Sequence, residues 1–117
     1  MEDVVLVGVG GAVGAACRYG VGIKLFRRAY PIPTVVVNVV GSFLLGLVIA
    51  VGAGDRLLLL VGIGFCGAFT TYSTFSVDTV RLWDESPFRA VVYAVGTLLA
   101  CILAVGVAYG VGAVLTG

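Results

Sequence analysis

Residues 64–76 read Gly-Phe-Cys-Gly-Ala-Phe-Thr-Thr-Tyr-Ser-Thr-Phe-Ser, and this stretch decides how the chain folds. It lies in an apolar segment, yet it combines two glycines with a run of hydroxyl side chains and several aromatic rings. Such a composition forms a helix poorly. If the segment spans a membrane, irregular backbone is tolerated there only where protein or a water-filled cavity satisfies its polar groups. The stretch therefore predicts a broken helix whose free carbonyls face an interface and whose hydroxyls and rings line a path.

The composition of the whole chain indicates that lipid surrounds most of it. Of its 117 residues, 61% are hydrophobic and 11% are charged, and the mean hydropathy is +1.19. Soluble domains are about half apolar and about a quarter charged. The absence of histidine removes the commonest catalytic base and metal ligand. The 3 cysteines lie in apolar stretches, so we expect neither a disulfide framework nor a transition-metal site, and a net charge of +1 does not indicate nucleic-acid binding.

Charged residues divide the chain into four apolar blocks, each long enough to cross a bilayer. A hydrocarbon core of about 30 Å needs about 20 helical residues. We therefore expect residues 1–117 to form one all-α transmembrane domain with four helices. The spans are predicted at about 4–23, 33–53, 57–80 and 88–114. Pro31, Pro33 and Pro87 lie where the second and fourth helices should begin.

Basic residues lie mostly on one side of the predicted bundle. Five of them flank the two longer connections: Lys24, Arg27, Arg28, Arg81 and Arg89. Arg56 alone lies on the side of the two termini. Because Lys and Arg near span ends tend to stay in the cytoplasm, we expect the longer connections inside the cell and both termini outside.

The second predicted span carries an amide on an otherwise apolar face. Asn38, Gly41 and Ser42 share this face because they are spaced at i, i+3 and i+4. An amide in the hydrocarbon core is unfavourable without a partner. Asn38 therefore either makes a structural hydrogen bond to another helix or donates to an aqueous path. The fourth span carries only a weakly polar stripe, which includes Thr97.

Glycine is abundant, with 18 residues of 117. The patterns Gly10-x-x-x-Gly14 and Gly106-x-x-x-Gly110 place two glycines one turn apart, which lets helix backbones approach closely. Helix packing is the simplest explanation for most of these glycines. Four helices this rich in glycine bury little surface as a monomer, so we expect the chain to form an oligomer.

Acidic residues are absent from the middle of the predicted spans, and Asp78 lies near the end of the third. A proton-coupled exporter of cationic drugs with four short helices would need a buried carboxylate, so this transporter class is disfavoured. Hydroxyls, one amide and aromatic edges suit an anion instead, because donors and the positive rim of an aromatic ring can face it.

Three segments resemble the small fluoride channels of microorganisms, the Fluc or CrcB family. They are Gly10-Gly11-x-x-Gly14-Ala15-x-x-Arg18-Tyr19, then Thr34-x-x-x-Asn38-x-x-Gly41-Ser42-Phe43-x-x-Gly46, and the quoted stretch at 64–76. The resemblance covers essentially the whole chain. It implies an antiparallel, dual-topology dimer of four-helix subunits with two fluoride pores at the interface. The implied activity is that of a channel in the cell membrane, not an enzyme, which lets cytoplasmic fluoride leave down its electrochemical gradient.

The resemblance also assigns roles to individual residues. The implied pore set consists of Asn38, Tyr72, Ser73, Thr74, Phe75, Thr97 and Arg18. Asn38 would be the pore amide, Arg18 would shape the vestibule, and Tyr72 and Phe75 would be the pore-facing aromatics. Ser73, Thr74 and Thr97 fall at the hydroxyl track of the family. Carbonyls of Gly67 and Thr70 would hold a structural Na⁺ ion at the dimer centre. Two positions depart from the family pattern: Tyr72 stands where phenylalanine is usual, and Cys101 where a hydroxyl often occurs.

The basic bias bears on the partner of this chain. An antiparallel homodimer needs the same chain inserted both ways in similar amounts, whereas five basic residues against one favour a single orientation. The expected partner is therefore the chain itself or, as the bias favours, a homologous subunit of opposite orientation. A non-conducting assembly subunit is the structural alternative, and it would leave Asn38 and Phe75 replaceable.

Overall fold

The computed structural model describes residues 2–26 and 30–117, which form a bundle of long helices. Helix α1 spans Glu2–Lys24 and α2 spans Ile32–Ala50. The third span covers Asp55–Glu85 in several pieces, and a final helix covers Pro87–Thr116. These four spans are long and apolar enough to cross a membrane. Arg27 and Arg28, which contribute to the predicted basic side, lie outside the described residues.

The third span is broken, as the sequence predicts. It begins with a short helix α3 at Asp55–Leu57 and continues as a π-helix, π1, at Leu58–Cys66. A single helical turn, α4, follows at Gly67–Phe69, and the helix resumes only as α5 at Ser73–Glu85. Residues 70–72 between them have no regular helix, and Thr70 is extended with φ −80° and ψ 164°. We call residues 70–72 the break.

Helix ends follow the local sequence. Pro33 lies in the first turn of α2, where a missing N–H costs nothing. The final helix, α6, begins at Pro87, and the Ser86 hydroxyl accepts a hydrogen bond from the Arg89 backbone N–H at 3.4 Å. The turn after α2 passes through Gly52 with φ +67°, a conformation that glycine adopts without a steric penalty.

Glycines allow α1 to lie directly against π1. A Cβ atom at Gly10 would collide with the Leu60 carbonyl, and one at Gly14 would collide with the Phe65 carbonyl. On the other side, a Cβ at Gly64 would lie 2.8 Å from the Val7 carbonyl oxygen. The predicted close approach at Gly10-x-x-x-Gly14 therefore occurs within one subunit.

The second glycine pair behaves differently. At Gly106 and Gly110 of α6, an added Cβ atom would have no described atom of a neighbouring element within 4 Å. The contact between α2 and α6 uses other small residues, because Gly46 faces Ala108 and Gly112 faces Ala50. Within a subunit, Gly106-x-x-x-Gly110 is thus an exposed stripe and not a helix contact.

Charged residues mark the two ends of the bundle. Arg56 pairs with Glu2, which places the start of α1 and the turn before α3 at the same end. Near the start of α6, Nη1 of Arg89 lies 3.6 Å from Oε2 of Glu85, across the bend between α5 and α6. The buried core beside this second end is small and consists of Leu82, Ala90 and Tyr93. Large apolar side chains cover the rest of the outer surface, as expected where lipid or another subunit is the neighbour.

Candidate functional site

The side chain of Asn38 on α2 makes two hydrogen bonds to the break. Its Nδ2 donates to the Thr71 carbonyl oxygen at 3.0 Å, and the Thr71 backbone N–H donates to its Oδ1 at 2.8 Å. Both backbone polar groups of one residue are thus satisfied by a single amide. The interhelical hydrogen bond that the sequence left open as one role for Asn38 is present.

The hydroxyls of Thr70 and Thr71 make hydrogen bonds to the backbone on either side of the break. The Thr70 hydroxyl donates to the Cys66 carbonyl oxygen at 2.8 Å, which the Thr70 N–H also approaches at 3.0 Å. The Thr74 N–H donates to the Thr71 hydroxyl oxygen at 3.1 Å. The Thr74 N–H is thereby redirected from the Thr70 carbonyl, which it would reach in a continuous helix, whereas the Thr70 N–H keeps its regular acceptor.

A groove of about 820 Å³ opens on one side of the break, between α2, the third span and α6. Six of the sequence-predicted residues line it: Asn38, Gly67, Thr70, Tyr72, Phe75 and Thr97. Ser42 and Cys101 lie along the same walls. The structure therefore brings together, on one face, residues from three different spans that the sequence singled out separately.

A second concavity of about 670 Å³ lies on the other side, between α1, α2 and the break. Arg18 and Thr74 line it together with Thr34, and we call it the vestibule. Thr71 lines both the vestibule and the groove, so the backbone that Asn38 holds is their common wall. Ser73 is exposed and lines neither concavity, although its hydroxyl lies 3.4 Å from that of Thr71.

The two predicted pore aromatics differ in their surroundings. The Phe75 ring is half-buried and tilts against the Tyr93 ring, with centroids 5.2 Å apart. The Tyr93 ring in turn meets the edge of Tyr30 at 5.6 Å and is fully buried. The Tyr72 side chain is 82% exposed at the rim of the groove, in the middle of a transmembrane span. Phe75 is thus fixed within the subunit, whereas Tyr72 projects away from it.

Sequence reasoning missed one buried carboxylate. Asp78, placed only near the end of the third span, is 5% exposed and accepts a hydrogen bond from the Thr34 hydroxyl at 2.7 Å. The Arg81 guanidinium donates to its other oxygen at 2.8 Å. The buried hydroxyl of Tyr93 lies beside Thr34 and Asp78. Among the described residues it makes no hydrogen bond to either of them. The spacing of Asp78 three residues after Phe75 places both on one face of α5, which is the signal that could have revealed it.

Comparison with known proteins decides the family. Residues 5–111 match the profile described as "CrcB-like protein, Camphor Resistance (CrcB)". The chain belongs to the CrcB family.

Several curated relatives of this CrcB-family chain are named as fluoride-specific ion channels. A protein of Haloarcula marismortui named "Fluoride-specific ion channel FluC 2" is 45% identical over 112 residues, covering 95% of this chain and 94% of its own length. One of Natronomonas pharaonis with the same name is 48% identical over 110 residues, covering 93% of each. "Fluoride-specific ion channel FluC 1" of Geobacillus kaustophilus is 41% identical over 109 residues, covering 91% of this chain and 94% of its own.

Family membership confirms the resemblance given by the three sequence segments. The matched range contains every residue of the predicted pore and cation sets, from Arg18 to Thr97. Together with the four spans, it makes the chain a multi-pass membrane protein.

Proposed function

We propose that this chain is a fluoride-specific channel of the cell membrane that lets cytoplasmic fluoride leave passively. The observation that carries the proposal is a polar break, exposed to a groove inside the membrane span, in a chain that matches fluoride-specific channels over nearly its whole length. In acidic surroundings fluoride enters cells as neutral HF, and it is released as the anion at the higher cytoplasmic pH. A passive path then allows the trapped anion to leave down its electrochemical gradient.

The chemistry of the groove supports an anion path. Hydroxyl and amide groups donate hydrogen bonds, and the edges of aromatic rings carry positive partial charge. Phe75 and Thr97 line the groove from two different spans, and Tyr72 stands at its rim. Arg18 places a positive charge at the vestibule, where it would raise the local concentration of anions.

The buried carboxylate of Asp78 does not favour a proton-coupled exporter. A carboxylate that takes up a transported proton must be free to change its partners. Asp78 is instead held by Thr34 on α2 and by Arg81 on its own helix. A paired carboxylate of this kind fixes α5 against α2, and the channel remains the function that the geometry supports best.

A dimer would complete the path. The groove is open along one side, and a tyrosine that is 82% exposed in mid-span needs a protein neighbour more than a lipid one, because its hydroxyl is polar. An antiparallel second subunit would cover the groove and bring its own break to the centre. The fluoride path would then run between the two subunits, with the chain itself or an oppositely oriented homologue as partner.

The carbonyls of Gly67 and Thr70 fit a structural Na⁺ ion at that centre. In a regular helix the Gly67 carbonyl would accept from the Thr71 N–H, which here donates to Asn38. The Thr70 carbonyl would accept from the Thr74 N–H, which here donates to the Thr71 hydroxyl. Both carbonyls therefore lack their regular donors, and carbonyls of unwound helix are ligands that Na⁺ prefers in membrane proteins. Two carbonyls from each subunit would hold the ion.

Fluoride efflux from liposomes tests the proposal. Purified chain is reconstituted, and external fluoride is followed with an ion-selective electrode after the vesicles are diluted into fluoride-free buffer. We expect fast fluoride release and no release of chloride from matched vesicles. Equal release of both ions, or release no faster than from protein-free liposomes, would contradict a fluoride-specific channel.

A further inference from the structure

Thr71 depends on another span for both of its backbone hydrogen bonds. The helical turn before it ends at Phe69 and the next helix begins at Ser73, so neither helix offers Thr71 a regular partner. Asn38 on α2 supplies one acceptor and one donor instead, at 2.8 and 3.0 Å. An amide side chain has the same donor and acceptor pair as a peptide group, so the contact resembles one rung of a β-ladder.

The neighbouring break residues are satisfied locally. Thr70 bonds back to Cys66, and Thr74 bonds to the Thr71 hydroxyl. Loss of the Asn38 side chain would thus leave two polar groups of one residue unpaired at membrane depth. Unsatisfied backbone groups are strongly unfavourable there, so the break would have to rearrange.

Helix α2 also supplies the space that this contact needs. Gly41 lies one turn after Asn38, and a Cβ at this position would collide with the Thr70 Cγ2 methyl and lie 3.5 Å from the Phe69 ring. The break can therefore lie directly on α2, within reach of a short amide side chain.

We propose that Asn38 is a positioning residue that acts through the break: it fixes the Thr71 backbone, and so sets the wall shared by the vestibule and the groove. The role deepens the proposed function, on which it rests for its effect on fluoride flux. Because the Thr71 N–H donates to Asn38, it does not donate to the Gly67 carbonyl, its acceptor in a regular helix. The second N–H of the amide is not used by Thr71 and can donate to another ligand. The proposed role rests on the two bonds to Thr71 and not on this second N–H.

The test measures hydrogen–deuterium exchange of the segment containing Thr71 alongside fluoride flux in reconstituted protein. Asn38→Leu keeps the shape of the side chain and removes both bonds. Val40→Ala is the matched control, because Val40 lies two residues away on α2, is 41% exposed and lines neither the groove nor the vestibule. We expect at least about tenfold faster exchange at Thr71 and lost flux in Asn38→Leu, since an unmade hydrogen bond exposes its donor. Both readouts should match the unaltered protein in Val40→Ala.

Asn38→Asp supplies a second, isosteric test. An ionised carboxylate has no donor for the Thr71 carbonyl, whereas a protonated carboxyl group restores one donor beside one acceptor. Exchange at Thr71, corrected for intrinsic rate, should therefore be fast at neutral pH and return towards that of the unaltered protein on acidification. The other titratable groups at these concavities are Arg18, Tyr72, Cys66 and Cys101, and Asp78 is bonded to the vestibule residue Thr34. The Val40→Ala control contains all of them, so a pH response seen only in Asn38→Asp comes from position 38.

Two outcomes would overturn the proposal. The first is lost flux in Asn38→Leu with Thr71 as protected as in the unaltered protein, which would mean that the amide acts on the ion directly. The second is exchange at Thr71 that changes with pH in Asn38→Asp by the same factor as in the control, after correction for the intrinsic rate. The exchange measurement needs no fluoride, so it decides the role of Asn38 even if the unaltered protein proves not to conduct fluoride.

Discussion

Single side chains in this bundle have roles that composition alone would assign to packing. One side of the Phe75 ring lines the groove and the other side packs against Tyr93. Tyr93 is the largest fully buried side chain of the described residues, and its ring packs against the rings of both Phe75 and Tyr30. A change at Phe75 therefore alters the path without removing the anchor behind it.

We predict that Phe75→Ile lowers fluoride flux by about tenfold or more while the protein remains folded. Isoleucine fills most of the volume but has no ring edge to face an anion, and an edge contact of about 1.4 kcal/mol corresponds to tenfold in rate. Flux is measured in liposomes with equal protein content. Phe88→Ile is the matched control, because Phe88 is 77% exposed and lines neither concavity. Normal flux in well-assembled Phe75→Ile protein would refute the assignment of Phe75 to the path.

Thr34 is predicted to stabilise the bundle through Asp78. Thr34→Val removes the 2.7 Å hydrogen bond to a carboxylate that is 5% exposed, which should lower the stability by about 1–3 kcal/mol. Thermal unfolding in detergent measures the effect. Thr79→Val is the control, since the Thr79 hydroxyl donates only to the Phe75 carbonyl of its own helix, at 2.8 Å. Equal melting temperatures for the two variants would show that the contact between α2 and α5 contributes nothing.

At the scale of whole elements, the unusual helix is π1. Its nine residues turn more widely than an α-helix, and π-helical stretches of this length are rare. Gly10 and Gly14 of α1 face the carbonyls of Leu60 and Phe65 at either end of it. The close approach of α1 and the wide turn of π1 thus occur in the same place, and the close approach is possible because Gly10 and Gly14 have no Cβ atom.

We predict that Gly14→Ala destabilises the fold by about 1–3 kcal/mol, the usual cost of overpacking. The added Cβ would meet the backbone carbonyl of Phe65, which cannot move as the end of a side chain can. Gly8→Ala is the matched control on the same helix, because no described atom of a neighbouring element lies within 4 Å of its added methyl. Its stability should be unchanged or slightly raised, since alanine favours helix over glycine. A melting temperature of Gly14→Ala equal to that of Gly8→Ala would contradict a tight contact here.

The sequence predicts some of these elements and not others. The break follows from residues 64–76 alone, because hydroxyls, glycines and rings oppose a continuous helix, and the prolines mark two helix starts. The π-helix has no such signal in its own residues, which are as apolar as those of an ordinary transmembrane α-helix. Its contact with the glycines of α1 joins residues far apart in the chain. The pairing of Asn38 with Thr71 and the burial of Asp78 likewise require the third span to fold back on α2, a tertiary contact that periodicity does not contain.

On the scale of the whole molecule, the bundle is 45 Å long, more than a hydrocarbon core of about 30 Å, and the groove beside the break is open along one side. We predict that the Na⁺ ion of the proposed dimer is structural and is not transported. The site offers carbonyls of Gly67 and Thr70, which carry no charge to exchange. Na⁺ should raise the melting temperature more than K⁺ does, and fluoride efflux should be equal with and without a Na⁺ gradient. Efflux that needs the gradient would refute a structural role.

Charge distribution leads to the last prediction, that this chain inserts mainly one way. Five basic residues flank the two longer connections in the sequence, whereas Arg56, which is paired with Glu2, lies beside the short one. Lys and Arg near span ends set orientation, and acidic residues contribute little. The acidic neighbours Asp84 and Glu85 should therefore leave the bias in place. Copies in the minority orientation would limit the number of antiparallel homodimers, so an oppositely biased homologue becomes the favoured partner.

Cysteine labelling in intact cells measures this orientation. Cys17, Cys66 and Cys101 are first replaced, and single cysteines are then placed at Leu25, on the basic side, and at Ala53, beside Arg56. Neither substitution changes the count of basic residues. When the chain is expressed alone and treated with an impermeant thiol reagent, Ala53→Cys should react and Leu25→Cys should not. Labelling of about half the copies at both positions would show dual insertion, because each position would then face the outside in about half of the copies. The bias in basic residues would in that case not set the orientation. In that case the homodimer would be the working assembly.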